Sequence, residues 1–179
     1  DYLIAGIGVN LYKTEFDAEI KSIATSLEVQ TGKKVDKDAM ESFIRYITKA
    51  DYYTVACIPA FRDRAYGLKN TSYGIHHSSG RYLWAGDDKC YWLDPTSSGT
   101  MNYLTDITME LKSMGFDEVV FTDFRLPDTD AIYFEEDRAE TIRKAAEDLV
   151  RICTTDRFAL SFVGNEIFPL PEGRSRLYA

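Results

Sequence analysis

The chain has 179 residues, 45% of them hydrophobic, which suits a single globular domain over residues 1–179 with a sizeable core. Its formal net charge of −8 argues against a nucleic-acid partner, because binding the phosphate backbone needs a concentrated Lys/Arg face. No apolar run approaches the roughly 18 residues of a membrane span, and three scattered cysteines, Cys57, Cys90 and Cys153, exclude a disulfide framework.

The opening on Asp1 rather than Met points to a processed protein or an excised segment, so the missing signal peptide leaves secretion open. The first apolar run, YLIAGIGVNLY, is short and β-branched and predicts a buried strand ending near Asn10. In KTEFDAEIKSIATSLEVQ, residues Phe16, Ile20, Ile23 and Leu27 have helical spacing, and a hairpin through AEIKSIA also fits. Asp36 is a candidate N-cap for an amphipathic helix carrying Met40, Phe43, Ile44 and Ile47. A second strand, Tyr52 to Phe61, has Pro59 near its end, where a lost ladder donor does least harm.

Residues 62–94 form a long irregular stretch rich in Gly, Ser, Asp, Tyr and Trp, of the kind that carries function. The adjacent His76 and His77 lie there in a polar loop, and no CxxC or HxxxH spacing occurs, so no metal site is expected. Met101, Leu104, Ile107, Thr108, Leu111 and Met114 predict a helix closed by Gly115, followed by the strand EVVFTDF. The acidic loop PDTDAIYFEED then leads to a helix through Ala139, Ile142, Ala145, Ala146, Leu149 and Val150, and to a fourth strand, RFALSFVG. The last residues, FPLPEGRSRLYA, read as a continuation into a loop or a partner.

Strands alternating with amphipathic helices imply an α/β fold of parallel βα units. No cofactor is expected: GIG near Gly6 and Gly8 lacks the third glycine and the helix opening of a dinucleotide loop. Ligands of parallel α/β folds sit at the carboxyl ends of the strands. Those ends carry Asn10, then Phe61-Arg62-Asp63, then Asp123-Phe124-Arg125, and then Asn165-Glu166. Paired carboxylates with aromatic platforms are the chemistry of sugar hydrolysis, one carboxyl protonating the leaving oxygen while the other attacks or activates water. Asp123 and Glu166 are the candidate catalytic pair, with Asp63, Arg62 and Arg125 orienting substrate and Trp84 and Trp92 stacking on sugar rings. The structural alternative has the carboxylates pairing with Arg62 or Arg125 or capping helices, and the tryptophans packing their loop.

The run WLDPTSSGTMNYLTDITMELKSMGFDEVVFTDFRLP resembles the glycoside hydrolase-like domain family of bacterial secreted proteins, whose pattern reads W-v-D-P, then l-G-F-D-E-I, then Q-F-D-Y-V-R-F-P. YYTVACIPAFRD is similar to that family's i-Y-v-I-A-R-i-v-v-F-k-D, and ALSFVG to its v-s-A-D-v-F-G, so the likeness covers about residues 50–164 in order. It implies a TIM-type barrel, a carbohydrate ligand, further domains of the same polypeptide, and a secreted or cell-surface bacterial setting. A full barrel needs eight strands and about 250 residues, so the expectation is a TIM-barrel-like fold in a partial or reduced form. Laid against the pattern, the family's two strand aspartates align with Thr122 and Ser161 and its arginine with Cys57, three positions of one strand parity. Asp123 falls one residue later, and unbroken alternation would turn it away from the face of Thr122. Either the site binds glycan without cleaving it, or Asp123 and Glu166 rebuild it through a bulge at the strand end; a third reading is a structural domain of a larger secreted or cell-surface protein.

Overall fold

A computed structural model describes residues 37–49, 52–86, 89–163 and 169–178. The chain divides into two compact units, residues 1–47 and 48–179. The strand expected before Asn10, the segment with helical spacing at Phe16 to Leu27, the Asp36 cap and Glu166 lie outside the described residues. Helix α1, Lys37–Thr48, forms where the apolar repeat predicts it.

The second unit runs β1 (Val55–Pro59), α2 (Arg64–Lys69), a 3-10 turn (Thr71–Tyr73), β2 (His76–His77), α3 (Ser98–Ser113), β3 (Glu118–Thr122), β4 (Ile132–Tyr133), α4 (Arg138–Cys153), β5 (Ala159–Val163) and β6 (Ser175–Tyr178). The strands β1, β3, β5 and β6 pair in that order, all parallel, in an open sheet built from βα units. This is a partial TIM-barrel-like arrangement, and no closed barrel forms among the described residues. None of their helices is long and apolar enough to cross a membrane.

Register decides which side chains share a face. Ala56 pairs with Val119 and Val119 with Leu160, while Phe121 pairs with Phe162 one turn of the pleat further on. These five residues join Leu104 of α3 and Ile142, Leu149 and Val150 of α4 in one buried cluster. The helices therefore cover one face, and each fully buried Phe or Leu there contributes about 1.5–3 kcal/mol of transfer free energy. The opposite face, which turns inward in a barrel, carries Cys57, Val120 and Ser161 in one paired row and Thr122 one row higher. The shared parity expected for Cys57, Thr122 and Ser161 is thus present.

Local signals explain the helix ends. Gly115 follows α3 with φ +99, its N–H donating to the Lys112 carbonyl while the Phe116 N–H donates to that of Leu111. That pattern closes a helix through a left-handed residue, which glycine adopts without a Cβ penalty. Asp137 caps α4, accepting a 2.8 Å bond from the Glu140 N–H. Two expectations change. The histidine pair is a short strand, β2, hydrogen-bonded to β4, rather than loop. The terminal segment supplies β6 beside β5, with Arg176 beside Ser161, rather than continuing only as loop.

Candidate functional site

The carboxyl ends of the strands are roofed by two interlocked loops, 60–97 after β1 and 123–137 after β3. The segment Tyr91 to Leu93 lies between two stretches of its own loop: the Leu93 N–H donates to the Phe61 carbonyl (2.7 Å) and the Ile75 N–H to that of Trp92 (2.8 Å). A second layer follows, with Trp84 N–H on the Ile75 carbonyl at 2.9 Å. The two loops join where β2 meets β4 and where the Ser78 N–H reaches the Ala131 carbonyl at 2.8 Å. Arg138, the first residue of α4, donates to the carbonyls of Pro127 and Thr129, fixing the acidic loop from below. These bonds give the irregular backbone of the rim partners within the loops themselves.

Within the rim lies an open cleft of about 430 Å³, lined by Arg62, Trp84, Trp92, Arg125 and Asp128 among others. Four of these side chains are the expected substrate-binding residues, brought together from three stretches of sequence. Trp92 is only 5% exposed and forms a floor, with the Arg125 guanidinium 5.1 Å from its ring centre. Trp84 is half-buried, its ring centre 6.4 Å from that of Trp92 and tilted by 51°. A large indole with a partly open face is suited to stacking on a sugar ring.

Asp123 joins the same rim through its backbone. Its φ is +50, a left-handed conformation uncommon for a residue other than glycine and best tolerated by Asn and Asp. The turn breaks strand alternation. Phe124, which unbroken alternation would place on the face of Thr122, instead packs 4.4 Å from Phe162 and 6.1 Å from Phe121 between ring centres. The Asp123 carboxylate comes to 3.7 Å from a guanidinium nitrogen of Arg62, a loose ion pair at the edge of the cleft.

Asp63 is engaged by the fold. One carboxylate oxygen accepts the Tyr66 N–H at 2.8 Å as the cap of α2, and the other accepts the Tyr103 hydroxyl at 2.7 Å. Burial first, and then the Asp63 carboxylate, push the Tyr103 phenol well above its ordinary range. Asp128 was not among the expected site residues, though its place two residues beyond the Arg125-Leu126 rim of the third strand would have singled it out. Glu166 lies outside the described residues.

Sequence reasoning also missed a polar cluster on the inner face of the sheet. Glu118, 1% exposed, accepts hydrogen bonds from the Ser161 hydroxyl, from the Tyr53 hydroxyl at 2.8 Å and from the Arg176 guanidinium. Burial pushes its carboxyl up, yet the bonds from Ser161, Tyr53 and Arg176 together outweigh burial and hold it below its ordinary value. Glu118 opens β3, so this cluster lies toward the amino ends of the strands, away from the rim. The signal was present in DEVVF: a charge at a position of Thr122's parity in an otherwise apolar strand.

Residues 13–168 match the family described as "Putative glycosyl hydrolase domain". The chain belongs to that family. Among solved structures, this glycosyl hydrolase-like domain is similar to a hypothetical protein from Ruminiclostridium thermocellum ATCC 27405, with a TM-score of 0.62, 19% identity, and coverage of 87% of this chain and 76% of that one. It is also similar to the glycoside hydrolase domain of PelA from Pseudomonas aeruginosa, with a TM-score of 0.50, 14% identity, and coverage of 69% of this chain and 48% of that one. The chain thus spans about three quarters of the first and about half of the second, and at these identities the likeness is one of fold. No curated protein matches it.

Proposed function

We propose that this glycosyl hydrolase-like domain binds polysaccharide in the rim cleft, with Trp84 as the stacking platform and Arg62 and Arg125 as hydrogen-bond donors to the sugar. The observation that carries the proposal is the convergence of Trp84, Trp92, Arg62 and Arg125 in one cleft above the carboxyl ends of parallel strands, where α/β folds hold their ligands. Thr122 and Ser161 stand where the family pattern has aspartates, and neither side chain can act as a carboxylate nucleophile or acid. A secreted or cell-surface setting, with further domains of the same polypeptide, suits a glycan-binding role.

A hydrolytic version is favoured by one observation: the left-handed turn at Asp123 brings its carboxylate to the rim beside Arg62. Glu166 would then be the second carboxylate. Isothermal titration against a panel of neutral and acidic oligosaccharides, alongside a reducing-sugar release assay, separates the two. The binding proposal expects saturable binding without product, weakened about tenfold or more by Trp84→Ala. Turnover abolished by both Asp123→Asn and Glu166→Gln would establish hydrolysis. Failure to bind any oligosaccharide would overturn the proposal.

A further inference from the structure

The charged groups of the cleft are unequal. Arg62 has the Asp123 carboxylate 3.7 Å away as a counter-ion. Arg125 has no such counterpart: among the described residues it has the Leu126 carbonyl, at a long 3.5 Å, and the face of Trp92. A guanidinium carries five donors in a planar fork and no acceptor. Held over a buried indole, this fork is kept in place by stacking rather than by an anion. The contrast with the rest of the protein is pronounced, because a chain of net charge −8 sets two arginines in a cleft whose lining includes a single carboxylate, Asp128, among the described residues.

A neutral sugar presents hydroxyls that both donate and accept, and it is served best by a balance of carboxylates, amides and donors. An unbalanced guanidinium fork beside an aromatic platform matches a ring that carries its own planar anion. We infer that the cleft selects uronate-bearing saccharide, the sugar carboxylate bridging the fork of Arg125 while the ring lies against Trp84 and its hydroxyls meet Asp128 and Arg62. The carboxylate is the anion of choice because its two oxygens match the parallel N–H groups of the fork. The inference rests on the saccharide-binding proposal above and adds the substrate class.

The test compares three oligosaccharides of equal length by titration calorimetry on the full chain: oligogalacturonate, its methyl ester, and a sulfated neutral oligomer. Esterification removes the charge and leaves the stacking ring. The free acid is expected to bind about tenfold more tightly than the ester, with the advantage shrinking as salt rises from about 0.05 M to about 0.5 M. Arg125→Gln, checked for its melting temperature, should abolish the difference between the two sugars, and Trp84→Ala should weaken both. Equal affinity for acid and ester, both still dependent on Trp84, would overturn the uronate inference and leave saccharide binding standing. Preference for the sulfated oligomer over the uronate would overturn the carboxylate assignment. Failure of all three to bind, with neutral sugars still captured, would overturn the inference alone.

Discussion

Replacing Glu118 by Gln tests whether the buried carboxylate is an ionised clamp joining β3, β5 and β6. The side chain is 2% exposed and takes three donors, from Ser161, Tyr53 and Arg176. Glutamine keeps the shape but offers one acceptor oxygen, so its amide group must face a donor. Hydrogen bonds to a charged group contribute about 1.5–3 kcal/mol against about 0.5–1.5 for neutral ones. Arg176 is 46% exposed and regains water when released, which offsets part of the loss. The expected destabilisation at pH 7 is therefore about 1–3 kcal/mol, read as a lower urea midpoint at unchanged slope. The pH dependence has a definite sign. Because the folded-state value lies below the ordinary 4.5, the carboxylate contributes its full stability above that value and loses it as pH falls through the lower folded one. The gap between wild type and Glu118→Gln should be widest near neutrality and narrow below pH 4.5, the remaining carboxylates cancelling between the two proteins. Equal midpoints at pH 7, or a gap that stays constant into acid, would refute the clamp.

Three further outcomes follow from particular contacts. Asp123→Val should cost about 1–2 kcal/mol more than Asp123→Gly, since both lose the Arg62 ion pair and only valine resists φ +50; equal unfolding midpoints would show that the turn carries no such preference. Asp63→Ala should destabilise by about 1.5–3 kcal/mol, removing the α2 cap and the acceptor of Tyr103, and a spectroscopic titration should show Tyr103 ionising at lower pH than in the wild type, while burial still keeps it above the ordinary 10.0. Gly99→Ala would place a Cβ 2.3 Å from the Tyr73 ring, so a loss of about 1–3 kcal/mol is expected, and it should fall sharply in a Tyr73→Ala background in a double-mutant cycle.

Sequence legibility divides along a physical line. Elements fixed by local chemistry were readable: the αL glycine after α3, the amphipathic helix α4, and the apolar strands β1, β3 and β5 all follow from backbone preference and periodicity. Those fixed by a distant partner were not. In GRSRLYA, the arginines at 174 and 176 disguise β6 as loop, because nothing local reveals that Arg176 will meet the buried carboxylate of Glu118, 58 residues away in sequence. At the rim, Trp84 and Trp92 have equal claims by composition, and only packing makes one a floor and the other a half-open face. The direction of Asp123 depended on its left-handed backbone and on Phe124 being drawn into the core. Ser161 carries the argument furthest. As a letter it is a small polar residue in an apolar strand; as a bond it is a donor where a carboxylate would be a second acceptor pressed against Glu118. Two buried carboxyls at that distance would push one of them toward its neutral form. With a hydroxyl there instead, the Glu118 carboxyl is held below its ordinary value and accepts from Arg176, so Ser161 is what lets the inner face of this partial barrel hold β6.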